Sequence, residues 1–263
     1  MKHSVPLALA LVATTTVAHA DDTRPRDLST AIGGKAGFDA ALLAVGGGLN
    51  LVGAFVLTPS HAGRAPLDGL GHRDRSPPLD TASDATVTLG GIAGLSGALV
   101  TEGALSRHGG DLARAPLILL EGAVLAEAFT QMTKNVFGVC RPRDWDDRTR
   151  RCPDDDEANR SFPSGHSSPL AGMAGAAWGL WMLPTGRRDA FAPLALGMSG
   201  LALTMPVLRE KAGAHSWVDT GTAVAIGAVI GFATAALHVQ HETSGNAGTA
   251  GTTAQPIGLA GTW

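Results

Sequence analysis

Three short blocks of this 263-residue chain hold residue types that can do chemistry together. The first runs Lys134-Asn135-Val136-Phe137-Gly138-Val139-Cys140-Arg141-Pro142, the second is Pro163-Ser164-Gly165-His166, and the third holds Arg209, His215 and Asp219. Each flanks an apolar stretch, where unpaired charge is costly. Lys134, Arg141 and Arg209 are three cations suited to surround one anion, and the guanidinium forks match the paired oxygens of a phosphate. Ser164 and Gly165 precede an apolar run, so their backbone N–H groups can point at the same anion with a helix dipole behind them. Two histidines beside a phosphate point to one nucleophile and one proton donor. His215 and Asp219 are four positions apart and share one face of a helix start. Asp219 can accept the ring N–H and leave the other nitrogen of His215 free to attack phosphorus. His166 would then protonate the leaving alkoxide oxygen.

Each residue also has a plainer role available. Lys134 can snorkel at a helix end, Arg141 can pair with Asp144 or Asp146 in its own loop, His215 and Asp219 can be a helix pair, and His166 a cap. Only the set points to a phosphate site. Glu121 and Glu127 lie off the blocks and are expected to be structural, paired with basic residues inside the bundle. His61, His72, His108, His238 and His241 have no spacing that suggests a metal. The acidic run Asp154-Asp155-Asp156-Glu157 lacks the alternating ligands and Gly of a calcium loop, so it reads as a solvated loop. No metal and no cofactor are expected.

Six apolar segments must position the blocks: residues 40–63, 85–101, 115–133, 161–186, 190–208 and 220–241. None alternates with the period of two that a strand requires, and length and small-residue content argue for helices. Small residues recur at four-residue spacing, as at Gly90/Gly94 and Gly227/Gly231, which lets helix backbones approach closely. The expected fold is therefore all-α, a single bundle of about six apolar helices over residues 36–241. The first residues of the fourth segment, the Pro- and Gly-rich stretch 58–84 and the charged stretch 134–160 read as loops. Residues 242–263 are rich in Gly, Thr and Ala, hold no Lys or Arg, and are expected to be a disordered tail. Hydrophobic residues make up 44% of the chain and charged residues 16%, with 35 Gly. That balance excludes a disordered chain, a coiled coil and a cysteine-stapled miniprotein. A formal net charge of −3 gives no electrostatic reason to expect nucleic acid as a partner. Mean hydropathy of +0.14 leaves a membrane-embedded bundle and a soluble small-residue bundle both open.

Lys-x6-Arg-Pro, then Pro-Ser-Gly-His, then Arg-x5-His-x3-Asp, in this order, resemble the type 2 phosphatidic acid phosphatase (PAP2) superfamily, which also holds class A acid phosphatases and vanadium-dependent haloperoxidases. The resemblance covers roughly residues 36–239. It implies a metal-independent phosphomonoesterase working through a phosphohistidine intermediate. His215 would be the nucleophile, Asp219 its orienter, and His166 the general acid that later activates water. Lys134, Arg141, Ser164, Gly165 and Arg209 would bind the phosphoryl oxygens. The family often has Ser before the third-block Arg; here Leu208 stands there, which removes one hydroxyl contact to phosphate. The expected substrate is a phosphorylated lipid such as phosphatidic acid or a prenyl diphosphate. The rival readings are a soluble periplasmic acid phosphatase acting on small phosphomonoesters, a vanadium haloperoxidase, and a non-catalytic helical membrane protein.

Residues 1–20 have a basic start, a short apolar middle and an Ala18-His19-Ala20 exit, the pattern of a secretory signal cleaved after Ala20; an uncleaved first membrane helix is the alternative. A polar segment, residues 21–35, follows. Cys140 and Cys152 sit twelve positions apart in one polar loop and either close a small ring in an oxidising compartment or remain two thiols. The expected location is the cell envelope, in an inner membrane with the site facing the periplasm. If cleavage exposes residue 21 outside and all segments span, however, three crossings put Lys134–His166 inside. A site outside needs zero or two crossings before Lys134, and the segment at 85–101 is the weakest span. Aromatic residues are 5% with no Tyr, so Trp178 and Trp181 are the expected interfacial anchors.

Overall fold

Six α-helices realise the apolar segments. They are α1 (Ala36–Leu51, prolonged by a π-helical turn, Val52–Val56), α2 (Pro77–Leu105), α3 (Arg114–Phe137), α4 (Ser167–Met182), α5 (Ala192–Lys211) and α6 (Trp217–Ala247). This computed structural model describes residues 36–59, 63–67, 74–105, 113–183 and 188–247. The expected signal, the polar segment 21–35 and residues 248–263 of the expected tail lie outside them, as do His61, His72 and His108. Among the described residues there is no strand, so the expected all-α bundle is what forms.

Small residues decide which helices meet. α4 lies at the centre, with Leu170, Ala171, Met173, Ala174, Ala176, Ala177 and Leu180 all buried. A Cβ added at Gly175 would lie 2.7 Å from the Ala228 carbonyl carbon on α6, and one at Gly227 would lie 2.6 Å from the Ser168 carbonyl oxygen. Gly94 on α2 meets Met173 and Met198, and Gly90 meets Leu170 and Leu201. The two glycine pairs noted in the sequence therefore both mark close approaches. Ser168 touches Glu127 while Gly172 faces Gly122, so α4 runs antiparallel to α3; Gly227 and Gly231 track α4 in the same direction. Successive helices alternate up and down.

Three expectations need correction. α2 begins at Pro77, inside the stretch read as loop. Proline needs no donor partner in a first helical turn and presets φ there, and Asp80 complements the helix dipole, so a composition that mimics a loop starts a helix. The segment taken as the weakest span is thus a 29-residue helix. Second, the fourth apolar segment, 161–186, forms only the 16-residue α4, sheathed by the others; among the described residues, five helices are long and apolar enough to cross a membrane. Third, α6 runs on to Ala247, six residues into the expected tail. Trp178 and Trp181 pack on each other with ring centroids 4.6 Å apart, and Trp178 Nε1 donates to Ser199 Oγ at 2.8 Å, so these rings tie α4 to α5.

The loop after α3 is stiffened from several sides. Gly138 ends α3 in the left-handed region, at φ 58°, which a Cβ would penalise. Cys140 and Cys152 form a disulfide, with Cα atoms 5.9 Å apart. Ser161 N–H donates to Val139 O, and Arg141 N–H to Ala158 O, closing the loop on itself. Asn159 on the same loop accepts from Gly63 N–H and donates to two of the loop's own carbonyls.

Candidate active site

The alternation of helices puts all eight candidate site residues of the three sequence-selected blocks at one end of the bundle. Lys134 stands in the last turn of α3 and Arg209 in the last turn of α5. Ser164, Gly165 and His166 enter α4, while His215 precedes α6 and Asp219 lies in its first turn. Backbone bonds lock the pieces together: Ser164 N–H donates to Asp219 O at 3.1 Å, His215 N–H to Arg209 O at 3.3 Å, and Arg143 N–H to Gly213 O at 3.0 Å. Lys134, Arg141, Arg209, Ser164, His215 and Asp219 are all buried.

Asp219 is held by a reciprocal cap. Its Oδ2 accepts from Ser216 N–H at 2.8 Å, and its own N–H donates to Ser216 Oγ at 3.2 Å, the capping-box pattern that fixes a helix start. The same Oδ2 accepts from Ser161 Oγ at 2.5 Å. His215 Nδ1 lies 3.8 Å from Oδ2, too far for a hydrogen bond, and 3.5 Å from Ser161 Oγ. The expected direct imidazole–carboxylate bond is therefore replaced by contact through the Ser161 hydroxyl, because the cap already holds the carboxylate against the helix start. Ser161 was missed in the sequence; no motif marks it.

Carboxylates from outside the three blocks hold the cations in place. Arg209 Nη1 donates to Ser83 Oγ at 2.8 Å and to Asp80 Oδ1 at 3.2 Å, and Asp80 Oδ2 also meets Arg143 at 2.5 Å. His166 Nε2 lies 2.7 Å from Asp84 Oδ1. Asp80, Ser83 and Asp84 are spaced to share one face of α2, a signal hidden while this stretch read as loop. Arg141 pairs with the Glu157 carboxylate, and its Nε donates to Glu157 O at 3.0 Å; the partner is the end of the acidic run, not Asp144 or Asp146. Arg160 donates to the Ala54 carbonyl at 2.7 Å, and Asn135 Nδ2 donates to the Gly53 carbonyl at 2.7 Å. These carbonyls lie in the π turn that ends α1, so α1 is pinned to the site.

A cavity of about 330 Å³ opens beside these groups. Glu127, Gln131, Lys134, Arg160, Gly165 and His166 form its polar wall, with Phe55 and Val87 among its apolar lining. A Cβ on Gly165 would lie 2.9 Å from both Lys134 Nζ and Glu127 Oε1, so only glycine lets that amine and carboxylate reach the turn. Glu127 accepts from Ser168 Oγ at 2.8 Å and from Gln131 Nε2 at 2.5 Å. Expected as a purely structural residue, it stands in the cavity wall. Glu121 lies elsewhere: its Oε2 meets His238 Nε2 at 2.6 Å, with Asp39 beside them. His238, without metal-like spacing in the sequence, thus joins a group of potential ligands.

Burial drives the imidazole of His215 well below its ordinary pKa, and the Arg209, Arg141, Lys134 and His166 charges push the same way. His166 is lowered to about 4, first by burial and then by Arg209, with Asp84 opposing. Both rings are neutral at neutral pH. A neutral His215 keeps a lone pair, and His166 can carry a proton to donate only where an added negative charge offsets the neighbouring cations. The sign for stability follows from linkage. In the unfolded chain a histidine binds its proton near 6.5, so below that pH the unfolded state holds more protons than the folded one. The contribution is complete above about 6.5 and is lost as pH falls toward the folded values. Thermal melts of wild type should therefore drop more steeply from about pH 7 to pH 5 than melts of His215→Gln. Parallel curves would show that His215 is not held neutral.

A helical bundle that gathers three cations, two histidines and a helix start at one end belongs to the class of folds that can hold a phosphate group. Residues 115–242 match the family model of the PAP2 superfamily. The matched stretch contains all three blocks and begins with α3, so α1 and α2, with Asp80, Ser83 and Asp84, lie outside it. No curated protein and no solved structure matches the chain.

Proposed function

We propose that the protein is a metal-independent phosphatase of lipid phosphates, acting through a phosphohistidine on His215. The observation that carries this is a buried, neutral imidazole among three cations, with Asp219 behind it through Ser161. Lys134, Arg141 and Arg209 take the phosphoryl oxygens, with the Gly165 N–H and the Ser164 hydroxyl at the start of α4; the Ser164 N–H, expected to face the anion, is instead held by Asp219 O. The lone pair of His215 attacks phosphorus as the ester P–O bond breaks, and His166 gives its proton to the departing alkoxide. In the second step His166 takes a proton from water, the water oxygen attacks phosphorus, and the P–N bond breaks to restore His215. Asp219 and Ser161 balance the positive charge that the imidazole gains.

The outer faces of the helices support a membrane setting. Phe55 is 82% exposed, and Val56, Ile92, Val100, Leu203 and Val229 are also exposed, more apolar surface than a water-soluble bundle presents. This favours the lipid reading over a soluble acid phosphatase. The disulfide beside the site supports a site on the oxidising, periplasmic face. Up–down alternation puts the start of α1 at the other end, so with α1 to α3 crossing, that start faces the cytoplasm. A periplasmic site and signal cleavage after Ala20 then exclude each other, and the disulfide favours the periplasmic site.

The test is phosphate release by detergent-purified protein from phosphatidic acid, a prenyl diphosphate and p-nitrophenyl phosphate, with EDTA added to the assay. Release from a lipid substrate faster than from the nitrophenyl ester, unchanged by EDTA and blocked by vanadate, is expected. Strict magnesium dependence would overturn the mechanism, and preference for the small ester would return the soluble-type reading.

A further inference from the structure

At the bundle end away from the phosphate site, Asp39 of α1, Glu121 of α3 and His238 of α6 come together. They are 5%, 0% and 3% exposed, and each offers a ligand atom within 4.8 Å of the others'. His238 Nε2 lies 2.6 Å from Glu121 Oε2, and its Nδ1 lies 3.8 Å from Asp39 Oδ1. Two buried oxygens of the group, Asp39 Oδ1 and Glu121 Oε1, have no hydrogen-bond partner. Two carboxylates at such depth are costly unless their charge and lone pairs are met. Arg114 reaches Asp39 Oδ2 at 3.9 Å and meets one of them in part.

We propose that Asp39, Glu121 and His238 form a buried site for a divalent transition-metal ion, zinc being the first choice, that clamps α1, α3 and α6 together. An imidazole and two carboxylates are a nitrogen and oxygen donor set without thiolate, which suits zinc and also manganese. The ion enters between His238 and Glu121, and the proton they share is released to solvent. Both orphan oxygens gain a partner and the second carboxylate gains its counter-charge. Arg114 then stands behind Asp39 as an outer partner that orients it. Phe38, whose ring meets His238 edge-on with centroids 5.7 Å apart, fixes the imidazole plane. Glu121 precedes Lys134 by thirteen residues on α3, roughly 20 Å along the axis, so this ion takes no part in phosphate chemistry. The inference does not depend on the proposed function.

Metal analysis of wild type tests it, using protein purified in mild detergent without chelator and with a tag other than polyhistidine. About one zinc or manganese per chain is expected, falling to roughly a tenth or less in Glu121→Gln and His238→Gln. Protein stripped by prolonged chelation should gain about 5 °C or more in Tm when zinc chloride is restored to roughly a hundred times its Kd. Both wild-type measurements hold even if a variant fails to fold. Wild type with less than about a tenth of an ion per chain and a Tm unmoved by zinc would overturn the site, leaving the three side chains to share protons. Zinc content unchanged in folded Glu121→Gln and His238→Gln would equally overturn it. His215→Ala should keep its metal whatever its activity, which separates this outcome from failure of the phosphatase reading.

Discussion

His215→Ala is expected to remove phosphate release, by about a thousandfold or more in kcat, while leaving the protein folded. The size follows from what is lost. The nitrogen that would carry the phosphoryl group disappears, while the cations proposed to bind the substrate remain, so binding should be retained and chemistry should not. The ring is 1% exposed, yet its backbone N–H bond to Arg209 O needs no side chain, so the turn into α6 survives. Asp219→Asn tests the support. Asn can still accept from Ser216 N–H and keep the cap, but it cannot balance an imidazolium, and a fall of about a hundredfold is expected. His166→Ala sharpens the scheme. A nitrophenolate leaves without a proton donor, but water still needs His166 as base, so labelled phosphate should accumulate on the protein in an alkali-stable form. Normal turnover by folded His215→Ala would falsify the nucleophile assignment.

The three blocks were legible because each is short and their order is fixed along the chain; the helices follow from charge-free runs with small residues at four-residue spacing. Residues that steady the blocks were not, and the reasons are physical. Asp80, Ser83 and Asp84 face Arg209 and His166 from α2, but a helix start made of Pro and Asp has the composition of a loop. Glu157 looked like one more solvated acid and is the partner of Arg141. Ser161 carries no motif, and its role exists only because the loop after α3 brings it within 2.5 Å of Asp219. Glu121 and His238 are 117 positions apart and meet only when α3 packs on α6. Local periodicity shows which elements form; a polar pair between elements needs the packing.

Gly231→Val is expected to cost about 4 kcal/mol or more, and to leave little folded protein after detergent extraction. A Cβ at Gly231 would collide with Gly172 O and lie 2.7 Å from Gly172 C and 2.9 Å from Ala176 N. All three atoms are backbone, so no side chain can turn aside. Gly172 cannot yield toward α3 either, since its own added Cβ would lie 2.8 Å from Gly122 C. Three helices therefore meet at three glycines, and a branched side chain must drive α6 off α4. The contrast is Gly200→Ala on α5, where a new Cβ meets nothing within 4 Å; there the gain in helix propensity should stabilise by about 0.5–1 kcal/mol. Melting temperatures of the two variants against wild type measure both effects, and a Gly231→Val protein as stable as wild type would mean that α4 and α6 are not in backbone contact. The consequence reaches the site. α4 begins with Ser164 to His166 at its entry, α6 begins with His215 to Asp219, and one bond, Ser164 N–H to Asp219 O at 3.1 Å, joins the two starts. The proposed proton donor, His166, and the proposed nucleophile, His215, keep their separation only while the helices behind them touch, so the milder Gly231→Ala should lower kcat in whatever fraction of the protein still folds.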